Sequence, residues 1–106
     1  MMNDQKIRSM LSLGQKAGKI RSGEFMSEKS IRTKEALLVI IACDASEKTK
    51  ENFKKLCTSC NIPLYIWGTK KILGCSIGKG ERASLTIIDP HFTKRIEQLL
   101  EGTKER

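Results

Sequence analysis

The run Leu37-Leu38-Val39-Ile40-Ile41-Ala42 constrains this chain more than any other stretch. It is six consecutive apolar residues, three of them β-branched, without Gly or Pro. Branched side chains fit a pleated strand better than a helical turn, where their χ1 freedom is lost. A strand with one wet face alternates apolar and polar residues, so absence of alternation implies cover on both faces. The run predicts a central strand between two helical layers. In open α/β sheets ligands gather beyond the carboxyl ends of the strands. The loop Cys43-Asp44-Ala45-Ser46 is therefore where function is expected.

The rest of the chain reads outward from that strand. Residues 3–17 predict a helix with Ile7, Met10, Leu11 and Ala17 on one stripe, stopped at Gly18. Lys19 to Ser22 is short enough to be a brief strand or none. Ser22 is the expected N-cap of a helix over 23–33, with Phe25, Met26 and Ile31 as its apolar contacts. Ser46 caps a helix whose Phe53, Leu56, Cys57 and Cys60 fall at i, i+3, i+4 and i+7. Asn61 is the expected C-cap, and Pro63 forbids continuation. Leu64 to Trp67 is a strand, and Thr69 caps a short helix ending near Gly74. Gly78-Lys79-Gly80-Glu81-Arg82 is a loop, and Ala83 to Ile88 a strand. Asp89-Pro90 is an N-cap followed by proline at the first helical position. Phe92, Ile96, Leu99 and Leu100 then face inward, and residues 102–106 are expected to fray. This alternation predicts a single domain over 1–106, an α/β/α sandwich with a four-stranded, mostly parallel sheet in which one strand can be reversed.

Twenty Lys and Arg against twelve Asp and Glu leave a net charge of +8. Residues 1–35 contribute +4, 36–68 contribute +1 and 69–106 contribute +3, so the basic surface belongs to the outer thirds. Such a balance favours a polyanionic partner, nucleic acid first. No stretch approaches the ~20 apolar residues that span a bilayer, and the first residues lack a signal-peptide core. A cytoplasmic protein with reduced thiols and no membrane partner is expected.

Catalytic and metal patterns are weak. Cys57-Thr58-Ser59-Cys60 lacks a second ligand pair, and both cysteines share the apolar stripe of a helix, near its C-terminal end. Redox cysteines sit at helix N-termini, where the thiolate is stabilised. Packed core thiols are expected, with no metal and no cofactor. Gly78-x-Gly80 precedes a strand where a phosphate loop precedes a helix. His91 is the sole histidine, and no carboxylate pair lies in an apolar setting, so no enzymatic activity is expected.

What remains is a basic constellation. Gly23-Glu24 at a helix start offers free backbone N–H groups to a phosphate. Lys29 and Arg32 lie along that helix, and Lys79 and Arg82 on the glycine loop. Most of Phe25, Phe53, Tyr65, Trp67 and Phe92 fall on core stripes, which disfavours an exposed stacking platform. Reading of a folded RNA by backbone and shape is favoured instead.

Gly23-Glu24-Phe25-Met26-Ser27-Glu28-Lys29 ahead of the buried strand resembles the kink-turn-binding ribosomal proteins, of the archaeal L-seven-Ae type, and especially the group's short bacterial members. Ile62-Pro63, the Leu73-Gly74 turn and Gly78 to Ala83 extend the resemblance over residues 5–100. The resemblance implies an α/β/α sandwich with a mixed four-stranded sheet. It also implies an RNA surface built from Gly23, Glu24, Phe25, Met26, Lys29 and Arg32, from Asp44, and from Lys79, Gly80, Glu81, Arg82 and Ala83. Gly23 matches the glycine that lets the RNA backbone approach, and Lys29 the lysine closing the motif. Phe25 and Met26 stand where the strongest kink-turn binders carry Asn and Glu, side chains that contact sheared G·A pairs. Phe and Met cannot make those hydrogen bonds. The expected function is non-catalytic binding of a kink-turn or similar bent RNA, ribosomal RNA included, by a ribosome-associated monomer. The alternative is a protein-interaction adaptor with Phe25 and Met26 against an apolar partner.

Overall fold

The computed structural model of the protein describes residues 2–104. Helix α1 spans Met2–Lys16 and is stopped by Gly18 at φ 73°, a left-handed conformation that costs glycine little. Strand β1 is Ile20–Ser22, α2 Glu24–Arg32 and β2 Leu38–Ile41. Helix α3 is Glu47–Cys60, β3 Leu64–Ile66, α4 Lys70–Ser76, β4 Ser84–Ile87 and α5 Pro90–Lys104.

The sheet order is β1-β4-β2-β3. β2 and β3 are parallel, whereas β4 runs antiparallel to both its neighbours. One strand is reversed, as the sequence allowed. Because it sits between β1 and β2, however, two of the three pairings are antiparallel. Helices α2 and α3 pack together, and α1 packs against α4 and α5, giving the two helical layers. All four residues of β2 are fully buried, so the apolar run occupies the sandwiched centre.

Local signals set the helix ends. Ser46 Oγ accepts from Thr49 N at 3.1 Å and Thr69 Oγ1 from Ile72 N at 3.1 Å. Asp89 Oδ2 accepts from Phe92 N at 2.9 Å, which holds that carboxyl below its ordinary range. Asn61 takes the left-handed C-cap of α3 at φ 60°. Trp67 Nε1 donates to Asp4 Oδ1 at 3.0 Å and ties α1 to the end of β3. Tyr65 Oη donates to Glu97 Oε2 at 3.3 Å and to Glu101, and burial of the phenol, with these acidic neighbours, raises its pKa.

Several expectations need correction. Ser22 is in β1, and the N-cap of α2 is Gly23. Phe25 is 76% exposed and Met26 37%, so only Ile31 of the expected trio is core. Ala17 lies outside α1 and is exposed. Leu37 precedes β2 and is exposed, although Ala36 and Leu38 on either side of it are buried. Cys57 is buried, and that burial, with Cys60 nearby, lifts its thiol to about 11. Cys60 is exposed because it is the last residue of α3, past the face that covers the sheet. Gly102 and Thr103 are helical, since α5 continues to Lys104; residues 105 and 106 lie outside the described residues. A Cβ on Gly102 would overlap the Asn3 amide, whose Nδ2 donates to Leu99 O at 3.3 Å, so α1 holds this end of α5.

Candidate functional site

Strand register brings four segments to one edge. Ser22 pairs with Leu85, Ile41 with Ser84 and Ile41 with Ile66. The carboxyl ends of β1, β2 and β3 therefore meet the amino end of β4. Backbone bonds join what lies beyond: Gly23 N to Ser84 O at 3.1 Å, Ala42 N to Ala83 O at 2.9 Å, and Cys43 N to Gly68 O at 2.7 Å. Gly23, Asp44 and the 78–83 loop, far apart in sequence, are thus components of one edge.

Gly23 has φ 89° and ψ 159°, a region open essentially to glycine alone. A Cβ built there would meet nothing within 4 Å. The glycine answers a backbone requirement, and the space before it is open. No side chain caps α2, so its first N–H groups point outward unclaimed by a cap. The helix is fixed from below by Ser84 Oγ, which donates to Ser27 Oγ at 3.1 Å, both fully buried.

The exposed side of α2 is divided by charge. Toward α3, Glu24 Oε2 accepts from Thr49 Oγ1 at 3.1 Å and Glu28 Oε2 from Asn52 Nδ2 at 2.6 Å. Glu28 Oε1 also pairs with Arg32 Nη1 at 3.3 Å. On the other side Met26, Lys29 and Thr33 form a shallow groove with Arg21 and Glu35. A second groove is lined by Phe25, Glu28, Lys29, Arg32 and Thr33. Lys29 stands between the two and, among the described residues, enters no ion pair.

The glycine loop is tied to α4 and β1 by hydrogen bonds. Lys79 N donates to Gly74 O at 2.8 Å and Arg82 N to Lys70 O at 3.1 Å. A Cβ on Gly74 would overlap the Gly80 carbonyl, so α4 needs glycine where the loop crosses it. Arg82 Nη1 donates to Gly80 O at 3.2 Å and Glu81 O at 3.0 Å, and its Nε donates to Ser22 Oγ at 3.3 Å. That guanidinium braces the loop against β1 and is only half exposed, whereas Lys79 and Glu81 are exposed. Ala83 is half-buried at the sheet edge. Asp44 Oδ1 accepts from Lys70 N at 2.8 Å, which commits it to the start of α4.

Sequence reasoning missed Arg21, which lines the Lys29 groove and pairs with Glu35 at 3.5 Å. Its signal was the alternation Ile20-Arg21-Ser22, with Ile20 buried. It also missed Ser27, Ser84, Thr49 and Asn52, which hold α2 and its carboxylates in place. Among the described residues no three His, Cys, Asp or Glu side chains converge as metal ligands. No helix among them is long and apolar enough to cross a membrane.

Comparison with known proteins agrees with this architecture. Over 100 residues the chain is 33% identical to RNA-binding protein YlxQ of Enterococcus faecium, covering 94% of this chain and 96% of that protein. It is also 33% identical over 92 residues to RNA-binding protein YlxQ of Bacillus subtilis (strain 168), covering 87% and 92%. A solved protein of unknown function from Bacillus halodurans C superposes with a TM-score of 0.88 at 31% identity, covering 91% of this chain and 97% of that one. Residues 5–97 match the family described as Ribosomal protein L7Ae/L30e/S12e/Gadd45, and the chain belongs to that family.

Proposed function

We propose that the protein binds a structured, bent RNA of the kink-turn type at the edge where Gly23, α2 and the 78–83 loop meet, without chemistry of its own. The observation that carries the reading is this convergence, with exposed Lys29 and Lys79 beside an open glycine and an uncapped helix start. Family membership and the RNA-binding names of the relatives support it. Lys29 and Lys79 supply phosphate contacts, and the α2 N–H groups add donors without sequence preference. Glu24, Met26, Glu81 and Ala83 border the contact, while Gly80, Arg82 and Asp44 shape the loops around it. The protein acts by population shift: tighter binding of the bent RNA favours the bend over the straight form. A cytoplasmic, ribosome-associated role follows from an RNA partner of this kind.

The test is titration with a standard kink-turn RNA and a straight duplex of equal length and composition. A preference of about tenfold or more for the kink-turn, or about 1.4 kcal/mol, is expected. Equal affinities would sink kink-turn recognition and leave only charge-driven binding. The exposure of Phe25 and Met26 favours one second reading, an adaptor for an apolar protein surface. Failure to retain any RNA in a salt-sensitive manner would select it.

A further inference from the structure

We infer that Phe25 is the stacking surface for one unpaired nucleobase, with Lys29 taking the phosphate beside it. The inference rests on the RNA reading above and names what this part of the face takes: a bulged or looped-out nucleotide rather than the edge of a base pair.

Phe25 is 76% exposed, while Phe53 is fully buried and Trp67 is 9% exposed. Its ring contributes little to the core, so folding does not explain an aromatic side chain there. It lies one helical turn before Lys29, and the two line the same groove with Glu28, Arg32 and Thr33. The two carboxylates flanking the ring already have partners. Glu24 accepts from Thr49, and Glu28 is held by Asn52 and Arg32. The Phe25 side chain carries no hydrogen-bond donor or acceptor, so a paired base edge presented to it finds no partner there. A base face does find a partner, because every base has a π-face and stacking tolerates any of the four. Stacking requires the base to leave its helix, which is how single-stranded loops and bulges are read. Charge places the phosphate: Arg32 is paired with Glu28, whereas Lys29 enters no ion pair among the described residues and attracts it.

The experiment measures affinity of the wild type, Phe25→Ala, Phe25→Leu, Phe25→Trp and Lys29→Glu. The probes are a kink-turn RNA and the same RNA with each unpaired nucleotide in turn made abasic. Phe25→Ala is expected to weaken binding of the intact RNA by about tenfold or more. It should change nothing on the one abasic RNA that has lost the stacked base. Phe25→Trp should retain affinity, and Phe25→Leu should resemble the alanine variant. Wild-type affinity in Phe25→Leu would overturn stacking, as would an equal loss from Phe25→Ala on every abasic RNA. If Phe25→Ala binds normally while Lys29→Glu is weakened, the inference fails and the RNA reading stands. If the wild type binds none of these RNAs, both fail.

Discussion

Gly23 and Cys57 show how single residues are fixed by different physical demands. At Gly23 the demand is conformational, since φ 89° with ψ 159° excludes side chains even where space is free. Gly23→Ala should cost about 1–3 kcal/mol in a denaturant titration, with no new contact to relieve. An unchanged midpoint would show that this backbone relaxes. At Cys57 the demand is burial, and a thiol held near 11 stays protonated at neutral pH. Alkylation under native conditions at pH 8 should be rapid at the exposed Cys43, Cys60 and Cys75 and slow at Cys57. Equal labelling of all four would contradict the packing of α3. The Cys57–Cys60 spacing looked like one buried stripe because helical periodicity states which residues align. It does not state where the covered face ends.

Helix α2 depends on the rest of the fold more than its own sequence suggests. It has no capping side chain, and its buried anchor is the Ser27–Ser84 hydroxyl pair. Ser27→Ala should cost about 1–3 kcal/mol by leaving Ser84 without its partner in a dry setting. The double change to alanine should cost less than the sum of the single changes, which a double-mutant cycle in urea resolves. Strict additivity would mean that the pair does not act as a unit. Helix α5 behaves differently, because its Asp89 cap is charged and local. The folded pKa lies below the unfolded value, so the carboxylate stabilises the fold above the ordinary range near 3.9. That contribution is lost as pH falls through the lowered value. The stability difference between wild type and Asp89→Asn should therefore narrow on acidification below about pH 4; a constant difference would refute the cap's charge dependence. Caps such as Ser46, Thr69 and Asp89 were legible in sequence because their partners lie three residues away. The N-cap of α2 was misplaced by one residue because Ser22 serves Arg82, 60 positions distant. Phe25 and Met26 matched a helical period, but nothing local said that their side of α2 faces away from the sheet.

At the scale of the whole molecule, charge and strand order matter most. If the binding edge holds Lys29, Lys29→Glu should reduce the magnitude of the log-affinity slope against log salt by about 0.9 or more. Lys54→Glu, on the exposed side of α3, should change it far less. Equal effects would indicate diffuse attraction without a defined face. The alternation of elements made the sandwich legible, yet the order β1-β4-β2-β3 was not, because pairing between distant segments leaves no local trace. That order has a kinetic consequence. β1 hydrogen-bonds within the sheet only to β4, with Ile20 opposite Ile87, so its place exists only after most of the chain has been synthesised. Before β4 emerges, β2 and β3 can pair, but β1 has no neighbour and Gly23 N lacks the Ser84 carbonyl that seats α2. Contacts so distant in sequence are slow to close. On the proposed RNA reading, a nascent chain is thus unable to engage RNA until β4 has emerged and been inserted between its neighbours, and any truncation before Ser84 leaves the edge of Gly23, α2 and the 78–83 loop unassembled.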